Sequence, residues 1–474
     1  MLVTTADLWE PRPGTLLRWD VSAPAHGAPA QLSLNQRNHL AGATAGAPTV
    51  WLAAAFDVDG PIEPVALSRT WRAFLARHSS LQLEVVAAPD GPQARRHHPG
   101  TLTWSVATFG HTRTVEETRA ALHAALDERC GPFGYPAFLP AAISRPDRST
   151  IVLGMDHLHC DAHSVAVAVE ELAHLYAAFA ESGEEPSLPA VGSFLEAVSQ
   201  GLDGPVRVAA DDPLLRGWGD FLAGRGHRLP TFPLPLGLEP GERAAQATAV
   251  ATLAGADLMD RIGARARNSG ASTYAAVLAA LATAISDLGG GERLDTMAPV
   301  STRSAQPLTR SIGWYTTTVP LTVPASLTDV GLAEAGDAVR HGVRLGSVPL
   351  DQVLGSLTEP LVQTRSDVFV VSWIDYRHVP GGSAHLDRDA QHISASTLAD
   401  DVQIWFSRTH TGLAVRIRHP DTAVAGASVE SLLDRLRHTL ADLGAAAEAS
   451  RVGASASTRC RSTGSTTPTR PCTS

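Results

Sequence analysis

The sequence contains no lysine, few cysteines and few aromatic residues. All 38 of its Lys-plus-Arg positions are therefore arginine, and the formal net charge is −10. No arginine-rich patch with interleaved aromatic residues occurs in the body of the chain, which argues against a nucleic-acid partner. Four cysteines in 474 residues are too few for a disulfide scaffold.

Long apolar runs are missing as well. No stretch reaches the length needed to span a membrane, and the first residues lack the basic start and apolar stretch of a signal peptide. We therefore expect no membrane span and a cytoplasmic location.

Length and composition indicate a globular protein with two domains. The 474 residues exceed the size at which a single core stops growing, and 44% of them are hydrophobic against 18% charged. We predict two α/β domains, residues 1–190 and 191–450. Residues 451–474 are rich in Ser, Thr, Arg and Pro, and this composition predicts a disordered tail.

Hydrophobic periodicity predicts alternating strands and helices in both halves. The predicted strands are 16–21, 81–86, 102–107, 151–155, 316–323, 368–376, 402–408 and 413–418, and the predicted helices are 65–77, 114–128, 162–181, 256–268, 273–287 and 428–443. A Gly/Pro-rich stretch from Leu229 to Glu242 predicts a linker or a surface excursion.

The most informative passage follows the predicted strand 151–155 and holds three histidines and two aspartates. It reads Met155-Asp156-His157-Leu158-His159-Cys160-Asp161-Ala162-His163-Ser164. One interpretation is a polar loop whose histidines cap the next helix and form local hydrogen bonds.

A second interpretation is a metal site, because the alternation resembles the HxHxDH signature of metallo-β-lactamase-like hydrolases. In that signature the last His directly follows the Asp. Here Ala162 intervenes and would turn His163 away by about 100° if the helix has begun. No distant His and Asp partners occur in a convincing context.

The third interpretation is an acyltransferase. The passage resembles the HHxxxDG motif of the condensation-domain superfamily, which includes chloramphenicol acetyltransferase and the polyketide-associated acyltransferases. In this comparison His157 is the second His of the motif and Asp161 is its Asp. Asp156 replaces the first His, and Ala162 replaces the Gly.

Other segments resemble further motifs of the superfamily and occur in the same order. They are Leu32–Arg37 (the first motif, with Ser and Gln), Arg77–Gln82 (RHxxLR), Pro299–Arg303 (ending in a recurrent Arg), Ile312–Leu321 (IGxFxNTLPL, with Thr317 in place of Asn) and Ser372–Arg377 followed by Val379–Gly381. The last of these looks most like the polyketide-associated branch.

The resemblance implies two chloramphenicol-acetyltransferase-like α/β domains arranged as a V-shaped pseudo-dimer, with His157 in a channel at their interface. It implies transfer of an acyl group from a thioester to a hydroxyl or amine of a natural-product or lipid acceptor. No cofactor is expected to be bound permanently. The donor is expected to be acyl-CoA or acyl-phosphopantetheine on an acyl or peptidyl carrier protein, the acceptor a small molecule, and the enzyme a monomer.

The resemblance also assigns roles to the site residues. His157 is the expected general base, and an imidazole suits this role because its ordinary pKa of about 6.5 lies near working pH. Asp161 is expected to form an ion pair with Arg303, since a buried carboxylate needs a partner and arginine can bind it with two hydrogen bonds. Asp156 is expected to orient the loop, and Ala162 to narrow the space beside the substrate.

Other residues are given supporting roles. Trp314, Tyr315 and Thr317 are expected along the substrate channel. We interpret His159 and His163 as loop or cap residues and Cys160 as a packing residue. Asp375 and Arg377 are expected to fix a strand that connects the two domains. No metal ligands are assigned.

Three alternatives remain open from the sequence. One is an amide-forming condensation enzyme of the peptide-synthetase type. Another is a catalytically degraded module that recruits partner proteins, which the substitutions at Asp156 and Ala162 would fit. The third is the metallo-β-lactamase-like hydrolase.

Overall fold

The computed structural model describes residues 1–202, 207–303 and 306–461. The strands in this part of the chain are β1 Leu2–Thr5, β2 Thr15–Ser22, β3 Ala28–Pro29, β4 Trp51–Asp59, β5 Leu83–Val86, β6 Gln93–Arg96, β7 Thr103–His111, β8 Phe138–Ser144, β9 Arg148–Asp156, β10 Ala244–Gly255, β11 Arg293–Ser301, β12 Thr316–Pro324, β13 Val370–Asp375, β14 Gln391–Ser394, β15 Leu398–Ala399, β16 Gln403–Thr409 and β17 Gly412–Pro420.

The α-helices of the same described residues alternate with these strands. They are α1 Leu34–Thr44, α2 Pro64–Arg77, α3 Val115–Arg129, α4 Ala162–Glu181, α5 Phe194–Ser199, α6 Pro213–Ala223, α7 Ala256–Asn268, α8 Thr273–Asp287, α9 Gln306–Thr309, α10 Asp329–Leu345, α11 Leu350–Ser356 and α12 Ala423–Arg461.

Two seven-stranded sheets form the framework of the described chain. The first has the order β1-β14-β4-β9-β8-β2-β7, and the second has the order β12-β11-β13-β16-β17-β10-β15. Strand β14 comes from the second half of the chain but pairs with β1 and β4 in the first sheet. The two halves are thus joined by backbone hydrogen bonds, and the division near residue 190 stays a prediction.

The segment that carries the histidine-rich passage lies at the centre of the first sheet. Strand β9 pairs with β4 on one side and β8 on the other, and its residues from Ser149 onward are buried. Gly154 is required there, because a Cβ atom would lie 2.1 Å from Leu126 Cδ2. The strand ends at Asp156, a short 3-10 turn covers His157–His159, and α4 begins at Ala162. The predicted strand and helix on either side of the loop are confirmed.

Strand β4 was not predicted from the sequence. Its residues Ala53, Ala54 and Ala55 are strong helix formers by intrinsic propensity, yet they are buried between β14 and β9. Packing between two partner strands therefore overrides the local preference. The predicted strand 81–86 is also shorter than expected, since Ser79–Gln82 is a 3-10 turn and only Leu83–Val86 is extended.

The stretch Leu229–Glu242 is not the predicted linker or surface excursion. Phe232, Leu234 and Leu236 are buried in the hydrophobic core of the second half, where they pack with residues of α8 and α12. The prolines between these residues exclude regular structure, but the alternating apolar side chains still gain from burial.

The last helix is longer than predicted. It was expected to end near Leu443, but α12 continues to Arg461, within the segment predicted to be disordered. Alanines that follow Leu443 favour this continuation. Residues 462–474 of the predicted tail lie outside the described residues.

No single helix in the described ranges is long and apolar enough to span a membrane. Helices α7 and α8 together have sufficient length and apolarity, but the pair is bent by 101°.

Candidate active site

His157 follows the central strand of the first sheet directly. Its backbone N–H donates to the carbonyl of Val50 at 2.9 Å, which fixes the start of the 3-10 turn. The residue as a whole is partly exposed. Its Nδ1 atom is buried and has no hydrogen-bond partner among the described residues.

The ring of His157 packs on Trp314, which the second half of the chain supplies. The two ring centroids are 4.0 Å apart and the planes are inclined by 33°. The indole Nε1 donates to Thr316 Oγ1 at 2.8 Å, and Asn35 Nδ2 donates to the Thr316 carbonyl at 2.6 Å. Trp314 is partly exposed, as a residue beside a substrate would be.

Asp156, which stands at the position of the first motif His, is completely buried. Its Oδ1 accepts the backbone N–H of Leu158 at 2.8 Å, so this carboxylate orients the loop by the kind of contact that was predicted. The same oxygen lies 2.8 Å from Nε2 of His39. Oδ2 has no partner in the described chain.

His39 was missed from the sequence because α1 was not predicted. It lies on α1, three residues after Gln36 of the first motif, and that spacing places both side chains on one face of the helix. Gln36 Nε2 donates to the Leu158 carbonyl at 2.9 Å, so α1 holds the loop through both residues. The helix spacing within the first motif is the signal that could have identified His39.

The electrostatic surroundings keep His157 neutral. Burial lowers the pKa of His157 first, and the positive charge of His39 lowers it further. Its own backbone carbonyl and the carboxylates of Asp156 and Asp161 act in the opposite direction without reversing the shift. A neutral imidazole can accept a proton, as a general base must.

Asp161 is engaged on both oxygens and is not available as a second base. Arg303 donates to Oδ2 at 2.7 Å and to Oδ1 at 2.9 Å, so the predicted ion pair is present. Ser164 donates to Oδ1 from its backbone N–H and its hydroxyl, and the N–H of Tyr315 donates to Oδ2 at 3.0 Å. Burial raises the pKa of Asp161, but the charge and hydrogen bonds of Arg303 outweigh it and hold the pKa well below its usual range.

The prediction that Tyr315 lines the substrate channel is wrong. Its ring is fully buried against Phe194 and beneath the Arg303 guanidinium, and its hydroxyl donates to Ser311 at 2.8 Å. Trp314, its neighbour in the chain, is by contrast partly exposed. Thr317 lines a cavity of about 550 Å³, to which Leu202, Val208, Ser301, Thr302 and Leu308 also contribute.

The other polar residues of the passage have separate partners. His159 Nδ1 donates to the Ser80 carbonyl at 2.7 Å, and His163 Nε2 donates to the Thr309 carbonyl at 2.8 Å. Cys160 is buried, and burial raises the pKa of its thiol well above the ordinary value. Within the residues that the structure describes, no three His, Cys, Asp or Glu side chains are grouped to hold a metal ion.

The second-half segment with Asp375 and Arg377 contacts the first half through its middle residue. Arg377 donates to both oxygens of Asp375, at 2.9 and 2.7 Å. Between them, Tyr376 is buried against Val3 and Ala166. Tyr376 thus contacts the first half, and the role of Asp375 and Arg377 in fixing this strand stays a prediction.

Solved structures share this fold. The structure titled "PapA2 acyl transferase" superposes with a TM-score of 0.83 at 24% identity and covers 94% of this chain and 100% of its own. The first condensation domain of the calcium-dependent antibiotic synthetase superposes with a TM-score of 0.64 at 18% identity, over 88% of this chain and 98% of that one. The predicted fold class, two chloramphenicol-acetyltransferase-like α/β domains in a V-shaped pseudo-dimer, is confirmed.

The family model of the condensation domain matches residues 32–445, and the chain belongs to this family. Acyltransferase PapA3 of Mycobacterium tuberculosis is 24% identical over 92% of this chain and 95% of its own length. PapA1 of the same organism, a 2'-acyl-2-O-sulfo-trehalose (hydroxy)phthioceranyltransferase, is 26% identical over 94% of this chain and 89% of its own. The predicted resemblance to the polyketide-associated branch is confirmed, and the protein is an acyltransferase.

Proposed function

We propose that this enzyme moves an acyl group from a thioester, on coenzyme A or on the phosphopantetheine of a carrier protein, to a hydroxyl or amine of a natural-product or lipid acceptor, with His157 as general base. The observation that carries the proposal is a neutral imidazole stacked on Trp314 from the other half. The nearby carboxylate of Asp161 is already held by Arg303.

The reaction needs one proton to move twice. His157 takes the proton of the acceptor hydroxyl as its oxygen attacks the thioester carbonyl, and a C–O bond forms. The C–S bond then breaks, and the imidazolium returns the proton to the leaving thiolate. The positive end of α4, which begins at Ala162, supports the oxyanion that develops between these steps.

The remaining residues of the site position the catalytic loop and the substrates. In this proposal Asp161 and Arg303 fix the start of α4 to the second half, and Asp156 fixes the turn that carries His157. Trp314 forms one wall beside the reacting groups, and Thr317 lines a cavity of about 550 Å³. A hydroxyl acceptor is favoured because the relatives PapA1 and PapA2 are named for acyl transfer to sulfated trehaloses.

The test is acyl transfer by the His157→Ala variant. Loss of a general base lowers kcat by roughly 100- to 10,000-fold, whereas His163→Ala, a control in the same passage, should change it little. Thiol release from acyl-CoA and product formation by mass spectrometry measure the rate. Undiminished transfer by His157→Ala would remove His157 from the mechanism.

The same assay separates the non-catalytic alternative. If the unmodified protein transfers no acyl group from acyl-CoA or from an acylated carrier protein, the chain acts as a recruiting module. Asp156 and Ala162 in the motif would then mark the loss of activity.

A further inference from the structure

Arg416 is a buried cation that has no acidic partner among the described residues. It lies on β17 and is 6% exposed. One guanidinium nitrogen donates to the carbonyl of Thr4 at 3.1 Å and to the hydroxyl of Ser394, while Nε has no partner in the described part of the chain. Within the described residues no carboxylate forms an ion pair with it. Burial lowers the pKa of Arg416 to about 10, which still leaves it charged at neutral pH.

The other buried arginines of the described chain are paired. Arg145 lies 3.6 Å from Asp57, Arg408 lies 3.1 Å from Asp260, and Arg418, two residues beyond Arg416, lies 3.1 Å from Asp367. An isolated buried charge is strongly unfavourable unless a counter-charge and hydrogen bonds compensate it. The compensating anion at Arg416 is therefore expected to come from outside the described chain.

His392 and Tyr376, near Arg416, are neutral and leave hydrogen-bonding capacity free, whereas the charge of Arg418 is among the causes that lower the pKa of Arg416. His392 is 4% exposed, and its Nε2 has no partner, while its Nδ1 lies 3.3 Å from the Tyr376 hydroxyl. Burial and the charge of Arg416 lower the pKa of His392 to about 3, and burial raises the pKa of Tyr376 well above its ordinary value. The guanidinium carbon of Arg416 lies 4.1 Å from the centroid of the Trp405 ring.

This cluster lies beside the reaction site. His392 is on β14, which pairs with β4, and β4 pairs with the strand that ends at Asp156. The N–H of Ala395, just after β14, donates to the carbonyl of Trp51, the residue opposite Asp156. His157 is near enough to His392 that a proton on His157 would lower the pKa of His392.

We infer that Arg416, with the unpartnered Nε2 of His392, binds an anionic group (a phosphate, sulfate or carboxylate) of a substrate that reacts at His157. The inference rests on the proposed function for the identity of that substrate as donor or acceptor. A phosphate belongs to coenzyme A or phosphopantetheine, and a sulfate or carboxylate belongs to the acceptor. Both sources present the same chemistry to a guanidinium.

Binding of inorganic sulfate and phosphate to the full chain tests the site without any need for activity. Thermal unfolding is followed as each anion is titrated, with sodium chloride at equal ionic strength as the reference for general salt effects. Arg416→Met is expected to weaken apparent binding by roughly 10- to 100-fold, and Arg416→Lys to keep part of it. Arg418→Met is the matched control, since the charge of Arg418 is already balanced by Asp367.

The source of the anion follows from paired ligands. Coenzyme A is compared with pantetheine, and a monosulfated disaccharide with the neutral disaccharide. If coenzyme A binds more tightly than pantetheine and Arg416→Met removes this difference, the site binds the donor. If the sulfated disaccharide binds more tightly than the neutral one and Arg416→Met removes that difference, the site binds the acceptor. If the charged and neutral ligands bind alike in both pairs, the assignment to a substrate is wrong.

Two further outcomes would overturn the inference. One is the absence of any anion-specific stabilisation of the unmodified protein, and the other is equal weakening by Arg416→Met and Arg418→Met. Arg416 would then only connect β17 with β1 and β14. Failure of the proposed function would be recognised separately, because an inactive protein with intact anion binding at Arg416 contradicts the acyl transfer and not the site.

Discussion

Replacing Arg303 by methionine tests the network that holds the start of α4. The change removes two charged hydrogen bonds to Asp161, at 2.7 and 2.9 Å, and leaves a buried carboxylate without its cation. Two such bonds contribute about 3–6 kcal/mol. Breaking a buried ion pair from one side costs about 3–5 kcal/mol. Three hydrogen-bond donors from Ser164 and Tyr315 still contact Asp161. We therefore expect the free energy of unfolding to fall by about 3 kcal/mol, the lower end of this range.

The loss should depend on pH. In the unmodified protein the folded pKa of Asp161 lies well below its unfolded value of about 3.9. The stabilisation is therefore complete above that value and is lost as the pH falls through it toward the folded pKa. Without Arg303 the pKa of Asp161 rises, because burial is then less opposed. The difference between the two proteins should be largest near neutral pH and shrink in acid.

Chemical unfolding at several pH values measures this difference. The double variant Asp161→Asn with Arg303→Met serves as the control, because it removes the buried charge together with its partner and should be more stable than Arg303→Met alone. A loss below about 1 kcal/mol at neutral pH, or a double variant less stable than the single one, would refute the reasoning.

Three further predictions follow from the site and its supporting strand. The acid limb of the pH profile of kcat/KM should lie below the ordinary histidine pKa of about 6.5, because burial and the charge of His39 lower the pKa of His157. The His39→Gln variant should move this limb to higher pH. A limb that does not move would contradict the assignment of His157 as the base. Gly154→Ala should reduce the free energy of unfolding by about 1–3 kcal/mol, because the new Cβ would lie 2.1 Å from Leu126 Cδ2. The control Gly219→Ala in α6 should be neutral or stabilising, because its Cβ would meet nothing within 4 Å. Equal effects of the two variants in chemical unfolding would be inconsistent with this packing. Cys130 and Cys160 should react with iodoacetamide only after unfolding, because burial raises the pKa of both thiols, and rapid labelling of either site in the folded protein, mapped by mass spectrometry, would count against it.

Predictions from the sequence succeeded where the signal was local. The apolar run Ile151–Met155, β-branched at its start, and the apolar periodicity after Asp161 predicted strand β9 and helix α4 correctly, because both elements follow from local sequence patterns. Asp161 accepts the N–H of Ser164 as the helix cap, a contact that depends on local residue type and spacing. Its pairing with Arg303 lies far apart in the chain and was expected only from the resemblance to the family.

Predictions failed where burial by distant residues decided the outcome. The alanines of β4 become a strand only because β14 and β9 enclose them. The prolines around Phe232 and Leu234 look like a linker until the second core covers the side chains between them. Tyr315 was placed in the channel because the sequence alone does not show which side of the chain faces the core.

The sequence by itself therefore determined the family, the order of the motifs and the histidine at the end of the central strand, because each motif consists of residues that are close together in the chain. The tertiary structure alone decided which groups surround that histidine. It brought His39 to Asp156, Trp314 to His157, and Arg416 into a buried position without an aspartate partner in the described chain. Each of these arrangements joins residues far apart in the chain, and their charges and rings interact only after folding has removed the water between them.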